Sequence, residues 1–414
     1  MSTTAPDEDR FAAFRHSAFQ RYFWARFLTA TATQIVATAV GFQLWTLTKD
    51  AWLLGLIGLV QFLPALILVL VTGLAADRYG RRKVMGLAIL LKMTCAIGIL
   101  TLSVTEQFLP VLVLSALMLF GVARAFHTPA SSSLVVNVVP RKDFANAVGW
   151  ITSSWQLASI VGPAIGGVLY YLSATLAYSS AVAIFATSAT LIFSLEKPNQ
   201  EMETAPTNWQ TLVGGFQYIW KEKIVLGAIS LDLFAILLGG AVALLPIYAE
   251  DILNVGAIGN GFLRAAPGIG ALVMVAILIR FPVRDHAGTI LLLSVAGFGA
   301  ATAVFGVSKL AWLSILALAL LGAFDMVSVY IREIMIQLWT PDRVRGRVNA
   351  VNAIFLGASN ELGEFRAGAM AAVYGAVFTV AAGGVAAVGV AGAWRFLFPK
   401  MSKTRKLEAP ELQD

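Results

Sequence analysis

The sequence is poor in cysteine, histidine and charge: it holds one cysteine and three histidines, and only 13% of its 414 residues are Asp, Glu, Lys or Arg. A lone Cys95 excludes a disulfide within the chain. His16, His127 and His286 are far apart with no metal-ligand spacing, so neither a metal site nor a cofactor is expected. There is no HExxH pattern, no phosphate-binding glycine loop and no large soluble domain, which speaks against an enzyme. The opening MSTTAPDEDR is acidic and polar, and no short apolar region with a cleavage site precedes the first long apolar run. The first helix is therefore expected to be retained.

What the chain has in quantity is apolar surface: 58% of residues are hydrophobic and the mean hydropathy is +0.78, far above that of a soluble domain. Apolar stretches of about 20 residues, each enough to cross a hydrocarbon core of roughly 30 Å, recur along it. They read as spans at Tyr22 to Leu47, Leu53 to Ala75, Val84 to Val104, Leu109 to Phe126, Phe144 to Leu169 and Ala174 to Leu195. After a polar break come Ile224 to Ala249, Ile258 to Ile279, Ile290 to Val307, Ala311 to Ile331, Val348 to Met370 and Val373 to Phe396. This pattern predicts an all-α integral membrane protein with a six-helix half over 1–195, a cytoplasmic middle loop over 196–223, and a second six-helix half over 224–414 that ends in a basic tail.

The net charge of +7 invites a nucleic-acid partner, but the basic residues sit in short connections between spans, and no such partner is expected. Lys and Arg fall on alternate connections: Arg78, Arg81, Arg82 and Lys83, then Arg141 and Lys142, and later Arg343, Arg345 and Arg347. The opposite side shows only Lys49 and Lys309. By the positive-inside rule both termini and the middle loop are expected to be cytoplasmic, in a bacterial inner membrane. The middle loop closes with an amphipathic stretch carrying Trp209, Phe216, Tyr218 and Trp220, and a similar aromatic stretch precedes the first span. ALMLFG from Ala116 and ALALLG from Ala317 align, and the same offset places Pro140 on Pro341, as duplicated halves would.

The loop GLAADRYGRRK, Gly73 to Lys83, closely resembles the signature loop of the major facilitator superfamily. Its spaced glycines suit a tight turn and close helix contact. The resemblance implies a cytoplasmic gate built on Gly73, Asp77, Arg78, Gly80, Arg81 and Arg82, with Asp77 facing a helix N-terminus. The equivalent stretch of the second half, IRFPVRDH from Ile279, keeps basic residues but lacks the GxxxD core. In the fifth span Gly149, Gly162, Pro163, Gly166 and Gly167 resemble the family's antiporter motif, with Ala158 where glycine is usual. SNELGEFRAG, Ser359 to Gly368, and AFHTPASSSL, Ala125 to Leu134, are similar to the exporter branch that includes the enterobactin exporter and the transmembrane secretion effectors. Arg124 is followed by Ala, Phe and His rather than by the Gln-Gly common in drug antiporters, which departs from a standard multidrug pattern.

Ionisable residues inside spans are costly and mark function or pairing. Arg26, Arg124, Asp232 and Asp325 fall in the first, fourth, seventh and tenth spans, which line the central cavity in that superfamily. The duplicated register sets Arg124 opposite Asp325. Glu361 and Glu364 share a helix face beside Asn360, a pairing suited to a proton taken up and released near neutral pH, while Arg366 could instead neutralise one of them. Lys92 reads as peripheral. With no nucleotide-binding motif, an ion gradient is the expected energy source and the proton the expected ion. The expected function is proton-coupled export of small organic molecules, siderophore- or drug-like, by a monomer. An importer or lysolipid flippase on the same fold, or a non-transporting membrane sensor, remain as alternatives.

Overall fold

A computed structural model describes residues 10–196 and 209–407, all of them helical or in short connections. In chain order the helices are α1 (Ser17–Thr48), α2 (Ala51–Tyr79), α3 (Arg81–Val104), α4 (Pro110–Val138), α5 (Phe144–Leu172), α6 (Ala174–Phe193) and α7 (Trp209–Lys221). There follow α8 (Lys223–Gly239), the one-turn α9 (Leu245–Ile247), α10 (Gly256–Arg280), α11 (Ala287–Val307), α12 (Ala311–Leu338), α13 (Asp342–Tyr374), α14 (Ala376–Leu397) and a last turn, α15 (Pro399–Ser402).

Among the described residues, eleven helical stretches are long and apolar enough to cross a membrane, with α8 and the turns up to Ile252 counted as one. The twelfth is α13. Its 33 residues are long enough at about 1.5 Å rise each, but Glu361, Glu364 and Arg366 lower its apolarity. The spans run past the apolar windows: α4 continues to Val138 and α12 to Leu338, because helices project beyond the hydrocarbon core into water. The last two spans are separated by one residue, Gly375, whose φ of +81° lets the chain reverse where few other residues would. The seventh span is not continuous. It stops at Gly239, then resumes through a 3-10 turn at Val242–Leu244, α9 and a π-helical turn at Tyr248–Ile252.

Contacts divide the chain into two units. The first comprises Met1–Ala37 and Leu63–Thr207, the second Thr38–Phe62 and Asn208–Asp414, so α1 and α2 each contribute to both. Within the first, α3 packs on α4 and α6. The segment before α1 is fastened to the start of α5: Trp150 Nε1 donates to the Arg10 carbonyl (3.0 Å), and His16 meets Asp143 at 2.8 Å. Phe14 sits among Phe19, Phe23 and Trp150 with ring centroids about 5 to 6 Å apart, an aromatic clamp between the segment before α1 and α5.

Within the second unit, α11 packs on α12 and α14, α10 on α12, and α8 on α13 and α14. Hydrophobic burial gives no drive between helices in lipid, so close backbone approach at small residues supplies the adhesion. A methyl group on Gly299 would stand 2.6 Å from the carbonyl oxygen of Gly384, which shows how tightly α11 and α14 meet. The amphipathic α7 is held by Tyr218, whose hydroxyl donates to the Trp339 carbonyl at 2.6 Å.

Candidate functional site

The loop between α2 and α3 is anchored through its arginines. Gly80 turns the chain with φ of +89°. Arg81 donates to the Ser133 carbonyl and to Asn137 Oδ1, both at 3.1 Å, and Arg82 to the Leu195 carbonyl. The loop thereby ties together the start of α3, the end of α4 and the chain after α6. Arg78 lies over the Tyr79 ring. The surroundings of Gly73 and the side chain of Asp77 lie outside what is described, and so does the partner expected for Asp77.

In α5 the motif residues Gly162, Pro163, Gly166 and Gly167 are buried. A methyl group on Gly162 would meet Gln34 Cβ at 2.6 Å and the Thr31 carbonyl at 3.1 Å, so α5 and α1 touch there without a side chain between them. Gly149 differs: nothing lies within 4 Å of the position its Cβ would take.

Two groups of charges lie within the second unit. In one, Arg332 on α12 is ion-paired with Asp232 on α8, their side chains 2% and 6% exposed. Asp325 stands two turns before Arg332 on the same helix, on the same face, and feels the charges of both Asp232 and Arg332. Sequence reasoning named both aspartates but missed Arg332, because the tenth span was ended at Ile331 and the next residues, Arg332 and Glu333, look like span-ending charges. The seven-residue spacing from Asp325 was the available signal. Glu333 is held in turn by Asn352 Nδ2 at 3.2 Å. Asp232 has its arginine within the same unit.

The second group is Glu361 and Glu364 on α13. Glu361 is 9% exposed, and Gly58 of α2 packs so closely that a methyl group there would come within 3.3 Å of Glu361 Oε2. Arg264 of α10 feels both carboxylates. Arg366, read as a possible neutraliser, instead places Nη1 3.3 Å from Met370 Sδ, and its Nε and Nη2 make no hydrogen bond. Asn360 donates back to the Leu356 carbonyl at 2.8 Å. The interruption of α8 is adjacent: a methyl group on Gly363 would stand 2.9 Å from the Ile236 carbonyl. A broken helix beside a carboxylate pair is an arrangement that transporters use to hold ions.

The first unit carries cations. Arg26 donates to Ser131 Oγ at 3.0 Å and to the Tyr22 hydroxyl at 3.2 Å. Lys92, expected at the periphery, is 4% exposed, with its ammonium 5.3 Å from the Phe120 ring centroid. A charged side chain at the centre of a span costs about 2.5–3.5 kcal/mol by insertion scales, and a cation over an aromatic face returns about 2 kcal/mol when desolvated.

A family model described as transmembrane secretion effector matches residues 8–412. The chain belongs to that family. It resembles the enterobactin exporter EntS of Shigella boydii serotype 4 (strain Sb227) and that of Escherichia coli O81 (strain ED1a), each 28% identical over 370 residues, covering 88% of this chain and 86% of the relative. Among solved structures it is similar to the nucleoside transporter NupG, with a TM-score of 0.71 at 13% identity over 93% of this chain and 100% of the other. A bacterial homolog of the human lysosomal transporter Spinster gives 0.72 at 13% identity over 95% and 98%. The D-xylose-proton symporter gives 0.71 at 11% over 93% and 98%. These likenesses show the major facilitator fold. As a secretion effector the chain is a multi-pass membrane transporter of small molecules, not an enzyme.

Proposed function

We propose that the chain is a proton-coupled exporter of small organic molecules of siderophore-like or drug-like size, working as a monomer by alternating access of two six-helix halves. Its place is a bacterial inner membrane with both termini in the cytoplasm. Export is favoured by the relatives, whose printed name is enterobactin exporter, and by the buried small-residue face of α5 around Gly162. Proton coupling is supported by one observation above others: Glu361 and Glu364 sit on α13 with Arg264 as their cation, beside the break in α8. A carboxylate in such a place is neutral when open to the acidic side and ionised when open to the other. Asp232 and Asp325 form the second candidate relay, with Arg332 setting their charge.

Proteoliposome transport decides the matter. An imposed inward proton gradient should drive export in the parent protein, and Gln or Asn at the coupling carboxylate should abolish gradient-driven movement while leaving substrate exchange. If Glu361→Gln, Glu364→Gln, Asp325→Asn and Asp232→Asn all retain proton-driven accumulation, these carboxylates are not the relay. No response of the parent protein to a pH gradient would remove antiport itself.

A further inference from the structure

The helices of the first unit are unusual in the sign of their charge. No Asp or Glu occurs in α1, α3, α4, α5 or α6, and the acid of α2, Asp77, stands near its cytoplasmic end in the gate motif. Arg26, Lys92 and Arg124 nevertheless lie within these helices. Four residues of α4, Phe120, Arg124, His127 and Ser131, follow one another at spacings of four, three and four, which places them along one helix face.

That face gathers the cations of its neighbours. Lys92, near the middle of α3, holds its ammonium over Phe120 and feels the charge of Arg124. Arg26 of α1 bonds to Ser131, and both Lys92 and Arg26 act electrostatically on His127. The contact given for the Lys92 ammonium is the Phe120 ring, not an anion, and His127 Nε2 is buried without a hydrogen-bond partner. A bundle that only had to pack would have a Met or Leu in place of Lys92, since a buried ammonium without an anion opposes both insertion and folding.

We propose that Arg26, Lys92, Arg124 and His127 form a binding site for an anionic group of the transported molecule, a carboxylate, phenolate or phosphate. Arg26 is braced by Tyr22 and Ser131 and so presents a fixed guanidinium, while Lys92 supplies a point charge whose aromatic partner gives way to an anion without breaking a salt bridge. The proposal rests on the reading of the chain as an exporter, but it concerns binding alone and needs no gradient.

The test compares two probes of one shape, 2-naphthoate and 2-naphthamide, on the purified full-length protein in nanodiscs of phosphatidylcholine, by isothermal titration and thermal unfolding. Naphthoate should bind at least tenfold more tightly than the amide. Lys92→Met should bring naphthoate down to the affinity of the amide, leave amide binding unchanged, and leave the unfolding temperature equal or higher, because it removes an unpaired buried charge. Equal binding of the two probes, or a naphthoate preference that survives Lys92→Met and Arg26→Met alike, overturns the proposal. So does a lower unfolding temperature in Lys92→Met with binding intact, the mark of a structural cation. Nanodiscs with phosphatidylglycerol separate the sources of the anion: if that lipid displaces naphthoate and the displacement is lost in Lys92→Met, the site belongs to a lipid headgroup and the proposal fails. Selective naphthoate binding alongside failed proton-driven export would leave this site standing and remove only the coupling mechanism.

Discussion

Arg332 of α12 closes on Asp232 of α8 in a pair almost wholly withdrawn from solvent. The desolvation of both ions makes such a pair a poor source of net stability, yet removing one partner leaves the other charge stranded. Asp232→Asn should therefore destabilise the protein by about 3–5 kcal/mol, seen as a lower unfolding temperature in detergent. The double change Asp232→Leu with Arg332→Met should recover most of the loss. An Asp232→Asn protein that unfolds at the parent temperature would contradict a paired Arg332.

The approach of α2 to α13 makes a second prediction. A methyl group on Gly55 would lie 2.9 Å from the Phe365 carbonyl and 3.0 Å from Gly368 Cα, and neither backbone atom can rotate aside. Gly55→Ala should cost about 1–3 kcal/mol through overpacking and reduce transport. Gly389→Ala, where nothing lies within 4 Å, serves as the neutral control. Similar unfolding temperatures for the two variants would show that the helices part freely at Gly55.

Before α11, Arg405 grips Asp285 through Nε at 3.2 Å and Nη2 at 3.0 Å, while the carbonyls of Thr404 and Arg405 accept the first amides of α11. The hydrogen bonds from Arg405, and then the backbone N–H of His286, hold the Asp285 carboxyl below its ordinary value. A depressed carboxylate contributes stability that is present above its unfolded value of about 3.9 and lost as the pH falls through the lower folded value. Pepsin should leave the tail protected at pH 4.5 and begin to release it only under more acidic conditions. In Asp285→Asn the tail should be cut several-fold faster, by trypsin at pH 8 as well.

The gate motif yields a prediction from sequence alone. Asp77→Asn changes side-chain volume little and removes one charge, so insertion should be intact while transport falls at least tenfold. Parent transport rates at equal protein amounts in the membrane would refute a gating role for that carboxylate.

Much of the architecture was legible because a bilayer imposes one strict rule: a span must be a helix, and its residues must be mostly apolar. The rule has little to say about where a helix stops once it leaves the hydrocarbon. That is why the tenth span was ended at Ile331 and Arg332 was lost from view, although Asp325 and Arg332 share a face. It is also silent on interior bends: the window over the seventh span reads as evenly apolar through Gly239 and Gly240, where the helix stops and Gly363 comes close to the Ile236 carbonyl. That Arg264 of α10 feels Glu361 and Glu364 of α13 depends on how separate helices are placed in the bundle, which periodicity along one helix does not encode.

Lys92 has a further consequence at the moment of synthesis. The helix that carries it emerges from the ribosome before the helix that shelters it, so for a time α3 must hold a bare ammonium without the Phe120 ring. Of the spans in the first unit it is poorly suited to slip alone into lipid, and the insertion machinery would release α3 and α4 together as a hairpin. A nascent chain cut short before α4 should then remain extractable by alkali, while one extended through α4 should resist it.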